Sequence, residues 1–174
     1  MPELDEPIRI SRYDRRWPAS YEHEAARLRA ALEGLDPLVE HIGSTAVPGM
    51  TAKPIVDVLV GVDPDRVTDA VERIAALGYE HLGAAGVPGR QHLRRRGADA
   101  FNVHVFERGH PLVHDDLVLR DYLRSHPEEA TRYGEQKSRL LAAGNATLLS
   151  YSDAKASTLA ALTERARAWD ERRR

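Results

Sequence analysis

The chain has 174 residues, no cysteine and a formal charge of −2 at pH 7. That length suits a single domain over residues 1–174, with a core that needs neither disulfides nor a structural metal. Absence of cysteine excludes a disulfide framework, thiol catalysis and Cys-ligated zinc. The near-neutral charge argues against broad nucleic-acid binding.

Residues 1–7, from Met1 to Pro7, are acidic and lack the basic and apolar regions of a secretory leader. They are expected to be loose. No run approaches the roughly 18 apolar residues of a membrane helix, so a cytoplasmic protein with no membrane partner is expected. Ile8 to Ile10 reads as a short edge strand. Pro18 suits the first turn of a helix, and Tyr21, Ala25, Leu28 and Leu32 give it one apolar stripe, with Gly34 as the stop. Leu38 to Ile42 reads as a strand delivering the Gly43-Ser44 turn. A Gly-, Pro- and Thr-rich loop follows, then a β-branched strand over Pro54 to Gly61. Asp63 as N-cap and Pro64 at N1 predict a helix with Val67, Val71, Ile74 and Ala75 inward, ended by Gly78.

Tyr79 to Leu82 predicts a third strand, and Gly83 to Arg90 a flexible connection. His92 to Arg96 and Phe101 to Glu107 predict a hairpin turning through residues 97–100. Alternation puts Asn102, His104 and Phe106 on one face of its second strand. Three helices follow. One is capped by Asp115 or Asp116 and runs to His126. One runs from Pro127 to Ala143. The last covers about 150–170, with Leu159, Leu162, Ala166 and Trp169 inward. Arg172 to Arg174 read as a frayed, solvated end. The order predicts an α+β fold: a small mixed β-sheet with flanking helices and a helical C-terminal half.

The chemistry concentrates in His41 to Val60. A strand ending in Gly43-Ser44 exposes backbone N–H groups to a phosphate, and Ser44 or Thr45 adds a hydroxyl. Asp57 stands inside an apolar strand. An ionised carboxylate there needs backbone donors, Lys53, or a cation such as Mg²⁺. His41 and His104 lie on strands and, with Asp57, make a candidate metal or acid/base set. On the helices, Arg120 and Arg124, Tyr133 and Lys137, and Tyr151 and Lys155 are spaced i, i+4. They form either a solvated stripe or an electropositive wall for a polyphosphate. Arg90, Arg94, Arg95 and Arg96 offer a further basic edge.

The stretch His41-Ile-Gly-Ser-Thr-Ala-Val-Pro-Gly-Met, with Ala52-Lys-Pro-Ile-Val-Asp57, resembles the signature of the GrpB family of bacterial proteins. The resemblance continues through Pro88-Gly-Arg90, Asn102-Val-His104-Val, Leu119 to Arg124, Tyr133 with Lys137, Tyr151 with Lys155, and Trp169. It covers roughly residues 8–170. It implies a fold of the polymerase-β-like nucleotidyltransferase superfamily, in some bacteria joined to dephospho-coenzyme A kinase. In that superfamily a Gly-Ser turn precedes a strand with two alternating acids, and a third acid stands on a later strand. Gly43 and Ser44 match the turn and Asp57 the first acid. Leu59 stands where the second would be, and Asn102 and His104 where the third would be.

The leading expectation is a nucleotide- or phosphate-compound-binding protein, extending to a divergent metal-dependent nucleotidyl transferase. Catalysis would then fall to Asp57, His104 and His41, with Mg²⁺ or another divalent ion held by the same three. Ligand contacts would come from Gly43, Ser44, Thr45, Lys53, Arg120, Arg124, Tyr133, Lys137, Tyr151 and Lys155. The alternatives are a non-catalytic module that binds a nucleotide, a coenzyme or a partner, and a His/Asp metal-dependent hydrolase.

Overall fold

The computed structural model describes residues 5–174. By its contacts the chain divides into two compact units. One comprises 15–42 and 55–113. The other comprises 1–14, 43–54 and 114–174.

The first unit is the sheet unit. Five strands are ordered β1-β2-β5-β4-β3: β1 (Leu38–Ile42), β2 (Val56–Val62), β3 (Glu80–His81), β4 (Gln91–Arg95) and β5 (Phe101–Glu107). Only β2 and β5 run parallel. The other three pairs are antiparallel. The sheet is therefore mixed, as the sequence predicts, and the 92–107 hairpin forms. Two helices, α1 (Trp17–Ala31) and α2 (Val67–Ala76), supply apolar stripes. Tyr21, Ala25, Leu28 and Leu32 are all buried, as are Val71 and Ile74. The α2 stripe takes Ala70 rather than Ala75. Asp63 does not cap that helix. A 3₁₀ turn over Pro64–Arg66 intervenes, and the Asp63 side chain makes no capping bond.

Cross-strand register sorts the side chains of this sheet. Ile42 pairs with Asp57, Asp57 with Asn102, Asn102 with Arg94, and His104 with His92. These share one face. Val39, His41, Val58, Val103 and Leu93 lie on the other. On that second face Arg95 reaches Glu24 of α1 at 2.7 Å, and Tyr79 reaches the same carboxylate at 2.8 Å. Burial alone would raise the Glu24 pKa. The bonds from Arg95, Tyr79 and Arg27 outweigh it and hold the carboxyl below its ordinary value. Burial and the adjacent Glu24 carboxylate push the Tyr79 hydroxyl well up.

The second unit is helical: the body of α3 (Pro111–Ser125), α4 (Pro127–Ala142) and α5 (Leu148–Glu171). Its core joins Val47 and Met50 of the 43–54 loop to Tyr122, Leu123, Ala130, Tyr133, Leu162 and Ala166. Pro111, not an Asp cap, opens α3 four residues before Asp115. Asp115 instead lies inside the helix and pairs with Arg167 of α5 at 2.6 Å. A capping box of Thr147 and Ser150 opens α5.

Of the segment expected to be loose, residues 1–4 lie outside the described residues and the rest is tied down. Leu148 N–H donates to Glu6 O at 2.8 Å, and Leu149 N–H to Asp5 Oδ1 at 2.9 Å. Ile8 to Ile10 forms no strand. Single bridges link Pro7 to Thr147 and Ser11 to Ala52. The terminal arginines are exposed, as expected, with Arg173 over the Trp169 ring and Arg174 paired with Asp170. Among the described residues no helix is long and apolar enough to cross a membrane.

Candidate functional site

Within the sheet unit, Asp57 sits at the centre of a polar row. Asn102 Nδ2 donates to its Oδ1 at 3.0 Å, and His104 Nε2 lies 3.0 Å from the same oxygen. Arg96 Nη2 donates to Asn102 Oδ1 at 3.1 Å and its Nη1 to Phe101 O at 3.0 Å. On the other side, Arg90 Nη1 lies 3.4 Å from His104 Nδ1. Asn102 and His104 thus both contact the carboxylate, with an arginine behind each. His92 pairs with His104 across the β4–β5 ladder, and their ring centroids are 5.0 Å apart. Burial, then the nearby His104 and Arg90, push the His92 pKa down to about 3. Its Nδ1 is buried with no hydrogen-bond partner.

His41 does not join this row. It pairs with Val58, one residue out of phase with Asp57, so its side chain lies on the opposite face. It is 5% exposed and stacks on Tyr21 of α1, with ring centroids 4.7 Å apart and planes 13° from parallel. The expected set of Asp57, His41 and His104 therefore does not converge. Among the described residues no three His, Asp or Glu side chains are grouped to hold a metal ion. Leu59, in the place of a second acid, is fully buried. These residues do not fit a two-metal centre or a His/Asp metal triad. A divalent ion would find one carboxylate here, already accepting two N–H bonds.

Within the helical unit, the loop 43–54 is held by cations. Gly43 adopts φ 72°, a conformation that L side chains rarely take. Ser44 follows in a short 3₁₀ turn, and Thr45 is buried. Lys137 is 2% exposed, and its Nζ donates to Ser44 Oγ at 2.7 Å and to Thr51 O at 2.6 Å. The same ammonium lies 4.8 Å from the Tyr133 ring centroid. Burial pushes the Tyr133 hydroxyl up to about 12. Lys53 and Lys155 approach the Tyr151 ring, at 6.0 and 5.0 Å. The Tyr151 hydroxyl is buried without a partner, and burial, then the neighbouring Tyr133, raise its pKa. Arg124 Nε donates to Ala46 O at 2.8 Å and so fixes the turn. Arg120 pairs with its neighbour Asp121 at 2.8 Å.

The i, i+4 pairs thus separate. Tyr133–Lys137 and Tyr151–Lys155 each bring a cation over a ring, and Lys137 reaches Ser44. Arg120 and Arg124 serve a carboxylate and a loop carbonyl. Sequence reasoning did not single out His92 or Thr51 as site residues. The hairpin register gives His92, since counting back from the 97–100 turn places it opposite His104. No local signal identifies Thr51, whose contribution is a backbone carbonyl.

Residues 7–165 match the GrpB protein family. The UPF0157 protein SCO7215 of Streptomyces coelicolor is 41% identical over 160 residues, which span 91% of this chain and 84% of that protein. A protein named dephospho-CoA kinase in Mycolicibacterium paratuberculosis is 30% identical over 154 residues. The alignment covers 73% of this chain but only 38% of that longer protein. The crystal structure of conserved protein GrpB from Enterococcus faecalis superposes with a TM-score of 0.83 at 32% identity, covering 92% of this chain and 99% of that one. The chain belongs to the GrpB family.

Proposed function

We propose that the protein binds a nucleotide or another phosphorylated small molecule, with phosphate held at the Ser44 turn. The observation that carries this reading is the Lys137–Ser44 bond. Removing an ammonium from water costs several kcal/mol, and here the buried cation is directed at a serine hydroxyl. Because Nζ donates to Oγ, the serine hydrogen is turned away from Lys137. A hydroxyl polarised by a charged donor is itself a stronger donor to an anion. Lys53 and Lys155 add positive charge around Tyr151. The resemblance to nucleotidyltransferases supplies the ligand class, and the relative named dephospho-CoA kinase adds a coenzyme A precursor to the candidates.

The reduced acid set favours binding over two-metal nucleotidyl transfer. Leu59 supplies no oxygen, and Asn102 offers Asp57 an amide where the superfamily pattern has an acid. Thermal-shift titration tests the reading. The panel holds nucleoside mono-, di- and triphosphates, dephospho-CoA and CoA, each with and without Mg²⁺. At least one phosphorylated compound raises the midpoint, and Ser44→Ala or Lys137→Met abolishes the rise. A flat response across the panel would overturn it.

A second reading, a divergent nucleotidyl transferase, is favoured by the retention of Asp57 as an oriented carboxylate on the sheet. It predicts Mg²⁺-dependent pyrophosphate release that Asp57→Asn eliminates. Binding without any such product decides for the non-catalytic module.

A further inference from the structure

The loop 83–90 is built around the side chain of its own last residue. Arg90 Nε donates to Ala84 O at 3.2 Å and Nη2 to Ala85 O at 2.8 Å, while Nη1 faces His104 Nδ1. The loop ends are pinned to β4, with Leu82 N–H on His92 O and His92 N–H on Gly83 O, both at 2.8 Å. One backbone position, Ala85, resists this shape, and one glycine, Gly89, permits it. Ala85 takes φ 45°, which alanine rarely adopts. Gly89 takes φ 80° and lies so close to His110 that a Cβ there would meet its Nε2 at 2.5 Å. Strain such as that at Ala85 persists where the surroundings over-determine it, and it gathers at functional sites. Here the result is one guanidinium fixed at one ring nitrogen.

That placement has a chemical consequence. A guanidinium has no acceptor, so its bond to Nδ1 requires a lone pair there. The hydrogen of the imidazole then belongs on Nε2, 3.0 Å from Asp57 Oδ1. We propose that Arg90 is a positioning residue for Asp57, acting through His104. It occupies Nδ1 and so aims the Nε2–H of the ring at the Asp57 carboxylate. The ring thereby holds the carboxylate in one place on the sheet face. The other ring on this face, His92, carries no charge at neutral pH because burial disfavours it. The inference goes beyond the phosphate-binding reading and does not depend on it.

The test is a long-range ¹H–¹⁵N spectrum of the full chain labelled with ¹⁵N-histidine, at neutral pH and without ligand. His104→Gln assigns the ring. The expected signature is a protonated Nε2 and an unprotonated, hydrogen-bonded Nδ1. Arg90→Lys, which keeps a donor, preserves it. In Arg90→Met, Nδ1 moves to the position of a protonated nitrogen. A protonated Nδ1 in the wild type overturns the proposal, as does an unchanged spectrum in folded Arg90→Met. If Arg90→Met does not fold, the wild-type and Arg90→Lys spectra decide. Ser44→Ala, which tests phosphate binding, leaves this signature intact, so the two readings fail separately.

Discussion

Asn102 donates its side-chain amide to Asp57 at 3.0 Å from the register-paired position on the neighbouring parallel strand. Two carboxylates at such a pair would repel unless a cation lay between them. An amide removes that requirement, and Arg96 holds the amide by its oxygen. The Asp57 row is therefore stable as an internal hydrogen-bond network.

The Lys137 bond sets the first prediction. Lys137→Met removes the donor to both Ser44 Oγ and Thr51 O. Leaving the part-buried Thr51 carbonyl without this donor costs up to about 1–3 kcal/mol, the range for a fully buried group. Urea denaturation should show a loss of that size, together with loss of the ligand-induced thermal shift. Lys137→Arg should not restore binding, because a planar guanidinium does not reproduce a compact point charge.

Glu24 should be a stability determinant with no part in ligand binding. Its carboxylate is 1% exposed and receives Arg95, Arg27 and Tyr79. Removing one partner of a buried charge cluster costs about 3–5 kcal/mol. Glu24→Ala should lower the urea midpoint accordingly, with ligand affinity unchanged wherever the protein remains folded. Since folding lowers the Glu24 pKa, its contribution is present above the unfolded carboxylate pKa and is lost as pH falls through the folded value.

His92 should steepen acid destabilisation. Folding depresses its pKa from 6.5 to about 3, so between these values the unfolded chain takes up a proton that the folded one refuses. The contribution is complete above 6.5 and declines as pH falls toward 3, by at most about 1.4 kcal/mol per pH unit. His92→Asn removes this component. Urea midpoints for both proteins across the window should converge toward acid, and parallel curves would reject the assignment.

Gly89→Ala should be costly although the site looks like a loop. The new methyl needs φ 80° and the space of the His110 ring. That ring cannot swing away cheaply, because it packs on Phe106 at 4.9 Å and accepts Leu112 N–H at 3.2 Å. A loss of about 1–3 kcal/mol is expected from strain of this kind. The same variant should disturb the His104 ring signals by shifting Arg90.

Local patterning made much of the sheet unit legible. Leu38 to Ile42 reads as a strand and forms one, and the period of two along Phe101 to Glu107 puts Asn102 and His104 on one face. Where local pattern and structure differ, partners distant in sequence intervene. Asp115 looked like a helix cap because Asp commonly fills that role, but Arg167, 52 residues on, holds it inside the helix at 2.8 Å from Nε. Ile8 to Ile10 looked like a strand, yet its neighbours offer only isolated bridges.

The site divides along the same line. Residue identity by itself determined that Asp57 stands in an apolar strand, that Leu59 denies it a second acid, and that Gly43 precedes Ser44. Those facts depend on chemistry and a period of two. Only the tertiary structure decided that His41 belongs to Tyr21 and not to Asp57, because one step of β register exchanges the faces of a sheet. Only it decided that Lys137 meets Ser44 across 93 residues, and that Arg90 folds back to His104. Such contacts follow from how distant segments pack, and no local spacing encodes them.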